Sequence, residues 1–331
     1  MDLLVVGGAG YIGSQMTKQL VRGGHSVVVL DNLSTGFRSL TKYGDLVIGD
    51  LNDIELLDTL FSKKKFDGVL HFAANSQVGE SVRSPAKYYS NNVAGTLNLL
   101  DAMIKHNVAN LVFSSTAATF GNPEYTPIDE AHPQVPINPY GRSKLMVEEI
   151  LRDYCAAYGL RSVCLRYFNA CGADPEGELG ECHDPETHLI PLILQAASGR
   201  RDSIMVFGRD YPTEDGTCVR DYVHIEDLCS AHSLALKKLI DGEFDGFSAF
   251  NLGNGAGFSV DEVIRVASNV VAEDGKRIIV REGERRPGDP AVLVADATQA
   301  RLQFGWKPAY ADLETIIRHA WCWEKNLTSK K

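Results

Sequence analysis

None of the seven cysteines stands in a CxxC pair, and their number is odd. That spacing excludes a disulfide framework and a zinc ribbon. Cys155 falls in a helix-like stretch and Cys164 in a strand-like run, contexts that suggest reduced thiols and a cytoplasmic location. Cys182 and His183 are adjacent and His188 is near, but no second cysteine sits at ligand spacing, so no metal is expected. No apolar run reaches the length of about 18 residues that a membrane span needs. Met1–Val6 carry no charged region and no cleavage site, so no signal peptide is expected. Positive charge is scarce: 33 Lys and Arg stand against 43 Asp and Glu, a net charge of −10. Such a chain is a poor general binder of nucleic acid or anionic membrane. A diphosphate is not excluded, because local arginines and helix N-termini decide that binding. Repeats and low-complexity segments are also lacking.

What is present is a chain of 331 residues with 44% hydrophobic content, enough for one large or two modest domains. Leu3–Val6, Val27–Leu30, Leu46–Ile48, Val69–Phe72, Leu111–Ser114 and Val163–Tyr167 are short, nearly continuous apolar runs. Strands buried on both faces need that pattern. Helical stretches alternate with them: Ile12–Arg22, Ile54–Phe61, Ala86–His106 and Tyr140–Tyr158. The alternation predicts an α/β protein with a Rossmann-type, doubly wound parallel sheet. After Phe168 the texture changes, and Asn169–His188 reads as a long loop of the kind that is usually functional. Phe250–Leu252 reads as one more strand and Ser259–Val271 as a helix. The expected division is residues 1–172 for dinucleotide binding and 173–331 mainly for a smaller C-terminal α/β domain. Segments near 219–253 are expected to return to the first part.

Gly7-Gly8-Ala9-Gly10-Tyr11-Ile12-Gly13 lies between a strand and a helix. Glycines there permit a tight turn, close approach to a pyrophosphate and close helix–strand packing. The phosphates then meet free N–H groups at a helix N-terminus. A second strand ends at Asp31, placed to bind ribose hydroxyls. A carboxylate there favours NAD over NADP, although Arg38 and Lys42 follow closely and could serve the extra phosphate. Asp50, after the third strand, fits an adenine contact or a helix cap equally well.

Tyr140-Gly-Arg-Ser-Lys144 begins behind Pro139, a helix-start residue, and puts Tyr140 and Lys144 on one helix face. A phenol has a pKa near 10. Lowering it by about three units takes about 4 kcal/mol, which two close cations in a dry cleft can supply. Tyr140 then reads as a general acid/base with Lys144 as its tuner. Ser114-Ser115-Thr116 ends a strand where ligands of open sheets sit, so a hydroxyl there can hold a substrate oxygen. Capping or turn formation is the alternative for Ser114 and Ser115.

Taken together these motifs resemble the extended short-chain dehydrogenase/reductase superfamily and, within it, the UDP-glucose (UDP-galactose) 4-epimerase family. The resemblance covers nearly the whole chain. Besides GGAGYIG it rests on Asp31-Asn32-Leu33, Gly49-Asp50-Leu51, HFAA at His71–Ala74, VGES at Val78–Ser81, Asn91-Asn92-Val93 and SSTA at Ser114–Ala117. It continues through PYGRSKLMVE from Pro139, LRYFN at Leu165–Asn169, GRRDS at Gly199–Ser203, the long YPTEDGTCVRDYVHIEDL from Tyr211, and RRPGD at Arg285–Asp289. The resemblance implies that Tyr140, Lys144 and Thr116 are catalytic. It implies an NAD site made by Gly7, Gly10, Tyr11, Ile12, Gly13, Asp31, Asn32, Asp50, Leu51, Phe72, Ala73, Asn92, Tyr140, Lys144 and Phe168. It implies a UDP-sugar site at Thr116, Tyr140, Asn169, Leu189, Phe207, Arg220, Arg286 and Asp289. Paired arginines suit a diphosphate. The implied reaction is NAD-dependent 4-epimerisation through a transient 4-keto sugar, in a homodimer.

Three positions depart from the family pattern. Ser76 replaces a lysine that some members place near the cofactor phosphates. His188 replaces an asparagine that often touches substrate. Val292 falls where glucose-restricted members carry a tyrosine, and the smaller side chain leaves room for an N-acetyl group. UDP-GlcNAc and UDP-GalNAc are therefore expected substrates beside the UDP-hexoses. The nearest rival is a nucleotide-sugar dehydratase or decarboxylase. By resemblance the dehydratases place an Asp-Glu pair after the strand-end threonine, where this chain has Ala117-Ala118. A non-catalytic NAD-binding regulator would not need Thr116, Tyr140 and Lys144 together. A plain alcohol dehydrogenase would consume NAD stoichiometrically.

Overall fold

The computed structural model describes residues 1–286 and 288–329. Alternation begins at once: β1 (Asp2–Val6), α1 (Tyr11–Arg22), β2 (Ser26–Asp31), β3 (Asp45–Ile48), α2 (Ile54–Lys63) and β4 (Gly68–His71). Then come α3 (Val78–Arg83), α4 (Pro85–Tyr88), α5 (Gly95–Lys105), β5 (Asn110–Thr116), α6 (Pro139–Tyr158) and β6 (Arg161–Tyr167). The later chain forms β7 (Asn169–Cys171), α7 (Leu189–Ser198), β8 (Ile204–Phe207), β9 (Val219–His224), α8 (Ile225–Ile240), β10 (Phe247–Leu252) and β11 (Gly257–Ser259). It ends with α9 (Val260–Ala272), β12 (Val280–Gly283), β13 (Val292–Leu293), α10 (Thr298–Phe304) and α11 (Leu313–Ser329).

Seven strands form one sheet in the order β10-β6-β5-β4-β1-β2-β3, and every pairing in it is parallel. This is the doubly wound sheet expected from the sequence. The order reverses between β1 and β4, and such a switch point opens a crevice at the carboxyl ends of the strands. The apolar runs are explained by position: all of β4 and all of β5 are buried. One face packs on α1, α8 and α10 through Met16, Leu20, Leu228, Leu236 and Phe304. The other packs on α2, α5 and α6 through Leu57, Phe61, Leu99, Met103, Val147 and Leu151.

A smaller sheet has the order β11-β9-β13, with β7 also paired to β9, and β8 and β12 form a two-stranded sheet. Its own core contains Ile193, Leu194, Val263, Ile316 and Ile317. The chain crosses between the layers: β9 lies in the small sheet, while α8 and β10, which follow it, pack in and pair with the large one.

Two local expectations are corrected. The stretch Ala86–His106 is not one helix. It is α4, a π turn over Tyr89–Ala94, and α5. The wide turn carries the buried Asn92 side chain, whose amide bonds satisfy both backbone groups of Asn75. Inserted turns of this kind favour functional sites. The segment Asn169–His188 is not wholly loop, because its first three residues are β7 and pair in register with Tyr222–His224.

Candidate functional site

The glycine loop leaves β1 and enters α1 at the switch point. Gly7 has φ of +86°, and a Cβ there would stand 2.5 Å from the Ala73 nitrogen. A Cβ on Gly13 would stand 2.1 Å from the Gly7 carbonyl oxygen. Both positions therefore require glycine for conformation or contact. Gly10 differs: it is the N-cap of α1, no side chain caps the helix there, and only the Gly7 carbonyl lies near, at 3.4 Å. The first-turn N–H groups of α1 thus face outward with no side-chain acceptor, the cradle a pyrophosphate needs.

Asp31 ends β2, almost fully buried. Its Oδ2 accepts the Ala9 N–H at 2.8 Å and its Oδ1 accepts the Leu33 N–H at 2.8 Å, while burial pushes its pKa up. Those bonds fix the carboxylate against the glycine turn. Asn32 donates to Asp50 at 2.6 Å, and Asp50 also accepts from the backbone and side chain of Asn52, which hold its carboxyl below the usual range. The helix-cap alternative for Asp50 is removed: Asp53 caps α2 by accepting the Leu56 N–H. Leu51 is buried under Gly95. Phe72 and Ala73 follow β4, with the Phe72 ring tilted against His232 at 4.9 Å between centroids. Ser76 is exposed.

Tyr11 is turned away from the loop, and its phenol donates to the Gly172 carbonyl at 2.7 Å. Its backbone, with that of Ile12, remains at the helix start. Asn92 donates to Ser143 Oγ at 3.0 Å, tying the π turn to α6.

α6 begins with Asn138 accepting the Gly141 N–H and Pro139 in its first turn. It presents Tyr140 and Lys144 to the carboxyl end of β5. Burial raises the pKa of the Tyr140 phenol, and the Thr116 hydroxyl acts in the opposite direction without outweighing it. Lys144 donates to the Ser114 carbonyl at 2.7 Å and lies 4.6 Å over the Phe113 ring. Burial pulls its pKa down to about 7, opposed by the Glu148 carboxylate. Within the protein alone, burial governs both groups. Ser114 hydrogen-bonds Tyr167, and Ser115 donates to Glu148, so these hydroxyls are engaged below the Thr116 level.

Across the crevice, Phe168 lies between β6 and β7, and Asn169 donates to the Asp221 carbonyl at 3.0 Å. Leu189 starts α7. Arg220 on β9 pairs with Asp289, and the Arg286 guanidinium lies 4.0 Å over the Phe207 ring at the end of β8. Val292 on β13 is in register with Val219. Residues spread from 207 to 292 thus come together on one edge. His188 contacts the carboxylates of Glu181 and Glu186.

Sequence reasoning missed several supports. Ser143 and Tyr167 stood inside quoted motifs but were given no role, and His232 lay in none. Glu148 had two signals, its place at the end of the PYGRSKLMVE motif and its spacing of four from Lys144 on the same helix face. Arg166 donates three bonds to its carboxylate.

A glycine cradle beside a Tyr–Thr–Lys group at a topological switch point defines a dinucleotide-dependent enzyme of the Rossmann type. The chain belongs to the NAD dependent epimerase/dehydratase family, whose model matches residues 3–253. It is similar to the UDP-glucose 4-epimerase of Halalkalibacterium halodurans, 52% identical over 98% of this chain and 96% of that one. Among solved structures it resembles the UDP-glucose-4-epimerase of Stenotrophomonas maltophila with bound NAD and formylated UDP-arabinopyranose, with TM-score 0.95 and 40% identity over 100% of both chains. It also resembles the UDP-Glc/GlcNAc 4-epimerase of Campylobacter jejuni, with TM-score 0.84 and 43% identity, covering 98% and 99%.

Proposed function

We propose that the protein is an NAD-dependent UDP-hexose 4-epimerase that interconverts UDP-glucose and UDP-galactose and also accepts UDP-GlcNAc and UDP-GalNAc. The observation that carries the reading is the grouping of Tyr140 and Lys144 on one face of α6 with Thr116 at the carboxyl end of β5, Lys144 being tied to that strand through the Ser114 carbonyl. The relatives support it, since proteins with those printed activities match over nearly the full chain. The large sheet would carry the dinucleotide on the loop Gly7–Gly13, Asp31, Asn32, Asp50, Leu51, Phe72, Ala73, Asn92 and Phe168. The small sheets would carry the UDP-sugar. The chemistry that bound NAD supplies is reversible hydride exchange at C4 of the sugar.

Tyr140 takes the proton from the 4-hydroxyl and returns it to the same oxygen. Its phenolate needs cations, and Lys144, whose pKa burial pulls down to about 7, is one of them when protonated. Thr116 holds the 4-oxygen at the phenol. Arg220 and Arg286 fork onto the diphosphate, with Asp289 orienting Arg220. Asn169, Leu189 and Phe207 line the nucleotide-sugar side. Val292, smaller than tyrosine, leaves space at the sugar for the N-acetyl group. The cytoplasm is the proposed location, supported by seven free cysteines of which five are buried. Among the described residues no helix is long and apolar enough to cross a membrane. A homodimer is the family expectation, tested by light scattering.

The deciding measurement incubates the purified enzyme with UDP-galactose, and separately with UDP-GalNAc, without added NAD, and follows the C4 epimers by NMR. Epimers of both are expected. Stoichiometric consumption of added NAD would point to a dehydrogenase instead. Loss of an oxygen from the sugar would point to a dehydratase. For the N-acetyl range, Val292→Tyr should depress UDP-GalNAc turnover while sparing UDP-galactose, and equal turnover of both by the variant rejects the Val292 assignment.

A further inference from the structure

Four side chains between β7 and α7 take no part in the proposed reaction: Glu181, His183, Glu186 and His188. Each offers one ligand atom, and the four atoms lie within 4.8 Å of one another. His183 Nδ1 stands 3.2 Å from Glu181 Oε1 and 3.4 Å from Glu186 Oε2, and His188 Nδ1 stands 3.8 Å from Glu186 Oε1. His188 Nδ1 also contacts Glu181 Oε1. Tetrahedral zinc ligands at about 2.0–2.1 Å from the ion are about 3.3 Å apart along each edge. The first two spacings match such an edge, the third is somewhat wider, and the His188–Glu181 contact is shorter, so an ion entering the site would part that pair.

The orientation adds an independent point. His183 Nδ1 is shut off from solvent and flanked by two carboxylate oxygens, yet makes no hydrogen bond of acceptable geometry with either. A buried ring nitrogen near two carboxylate oxygens but bonded to neither is free to serve as a ligand. The Glu186 carboxylate and the Glu181 backbone are held from behind. Glu186 Oε1 accepts the N–H groups of Thr187 and His188, and the Glu181 backbone carbonyl accepts from the Trp323 indole at 2.8 Å. Outer bonds of this kind orient metal ligands. A cleft lined by Cys182, Ile190 and Glu324 adjoins three of the four residues.

The other acidic group nearby shows the contrast. Asp174, Glu176 and Glu178 already enclose the Lys18 ammonium at 2.7, 3.2 and 3.0 Å, so that position is filled by a protein cation.

We propose that Glu181, His183, Glu186 and His188 form a site for one divalent transition-metal ion of the zinc type. The two imidazole donors favour such ions over calcium or magnesium, which carboxylates alone would suit. Its place assigns it a structural role. His183 packs edge-on against Tyr11 of the glycine loop at 6.5 Å, and His188 immediately precedes Leu189 at the head of α7. An ion there joins the segment entering α7 to the helix that begins the dinucleotide cradle. The cysteine spacing search passed over the site because two of its four ligands are glutamates.

The test uses untagged full-length enzyme, stripped with a chelator and gel-filtered, then titrated with Co²⁺. The expected result is a tetrahedral visible absorption band that saturates at one equivalent and is displaced by Zn²⁺. His183→Asn and His188→Asn should each weaken binding tenfold or more, with unchanged far-UV circular dichroism. His188 is half-exposed, so its variant probes the ligand without disturbing packing. Absence of the band in the parent overturns the proposal and leaves the cluster as two imidazolium–carboxylate ion pairs. Equal binding by the double variant overturns it too, and places the metal elsewhere, for instance at the exposed Cys322.

Discussion

At Tyr140 the surroundings oppose the ionisation that the proposed chemistry needs. Burial raises the phenol, and the Thr116 hydroxyl relieves only part of that. The group is thus poised to hold its proton until a cation and a substrate arrive. Tyr140→Phe removes the acid/base and should lower kcat by about 10²–10⁴-fold, the span of general acid–base catalysis, with little change in thermal stability. Retention of more than a tenth of the parental kcat would show that Tyr140 is not the proton carrier. The glycines give a second test at this scale. Gly13→Ala forces a Cβ to 2.1 Å from the Gly7 oxygen, whereas Gly10→Ala meets only that oxygen at 3.4 Å. Gly13→Ala should cost stability, about 1–3 kcal/mol as other overpacked sites do. Gly10→Ala should fold normally and lose dinucleotide affinity. Urea unfolding and NAD content of the purified variants separate the two, and a stable, NAD-loaded Gly13→Ala protein would refute the packing argument.

Among the elements, α6 does two jobs on one face. Tyr140 and Lys144 point at β5, and one turn further Glu148 accepts from Arg166 on β6 and from Ser115 on β5. The ion pair is buried on both sides, with 4% and 2% of the side chains exposed. Breaking a pair of this kind strands a charge and costs about 3–5 kcal/mol, whereas replacing both partners by apolar groups is often neutral. Glu148→Gln should therefore lower the urea midpoint strongly, and Glu148→Leu with Arg166→Met should recover much of it. A double variant as unstable as the single one would mean that packing, not charge, matters there. This element also shows what the sequence could and could not reveal. The strands were legible because β1, β2, β4, β5 and β6 are buried on both faces and must be apolar throughout. The Tyr140–Lys144 spacing was legible because both ends lie on one helix. The π turn at Tyr89–Ala94 was not, since no glycine or proline interrupts the stretch between α4 and α5 to mark it. Nor were β7 and β13, three and two residues long, whose existence depends on a partner some fifty or more residues away. The supports of the site fail to show for the same reason. Asn92 with Ser143, Glu148 with Arg166 and Ser114 with Tyr167 are neighbours only after the sheet has formed.

The whole molecule carries an acid sensitivity distributed across its layers. His71 ends β4 in the large sheet, His232 lies in α8 against Phe72, and His224 ends β9, where the small sheet meets α8; all three are buried. Burial holds His71 down to about 3, with Lys144 adding to it. It likewise holds His224 down to about 3, with His319 adding to it, and His232 down to about 4. An unfolded histidine takes its proton near 6.5, so below that pH the unfolded chain binds protons that the folded chain refuses. Stability from these sites is intact above about 6.5 and is lost as pH falls toward about 4. Asp221, raised to about 6 by burial, acts in the opposite direction below pH 6, so the net slope of the parent mixes both signs. A single substitution isolates one contribution. His232 packs among apolar rings, and its Nε2 has no hydrogen-bond partner, so His232→Phe removes the refused proton without breaking a bond at that atom. Between pH 7 and pH 5 the stability of His232→Phe relative to the parent should rise by about 2 kcal/mol, from linkage at a site shifted to about 4. Urea denaturation of both proteins at the two pH values measures it. A difference that stays constant with pH would show that His232 titrates normally in the folded state, and with it that the α8 face of the sheet admits water.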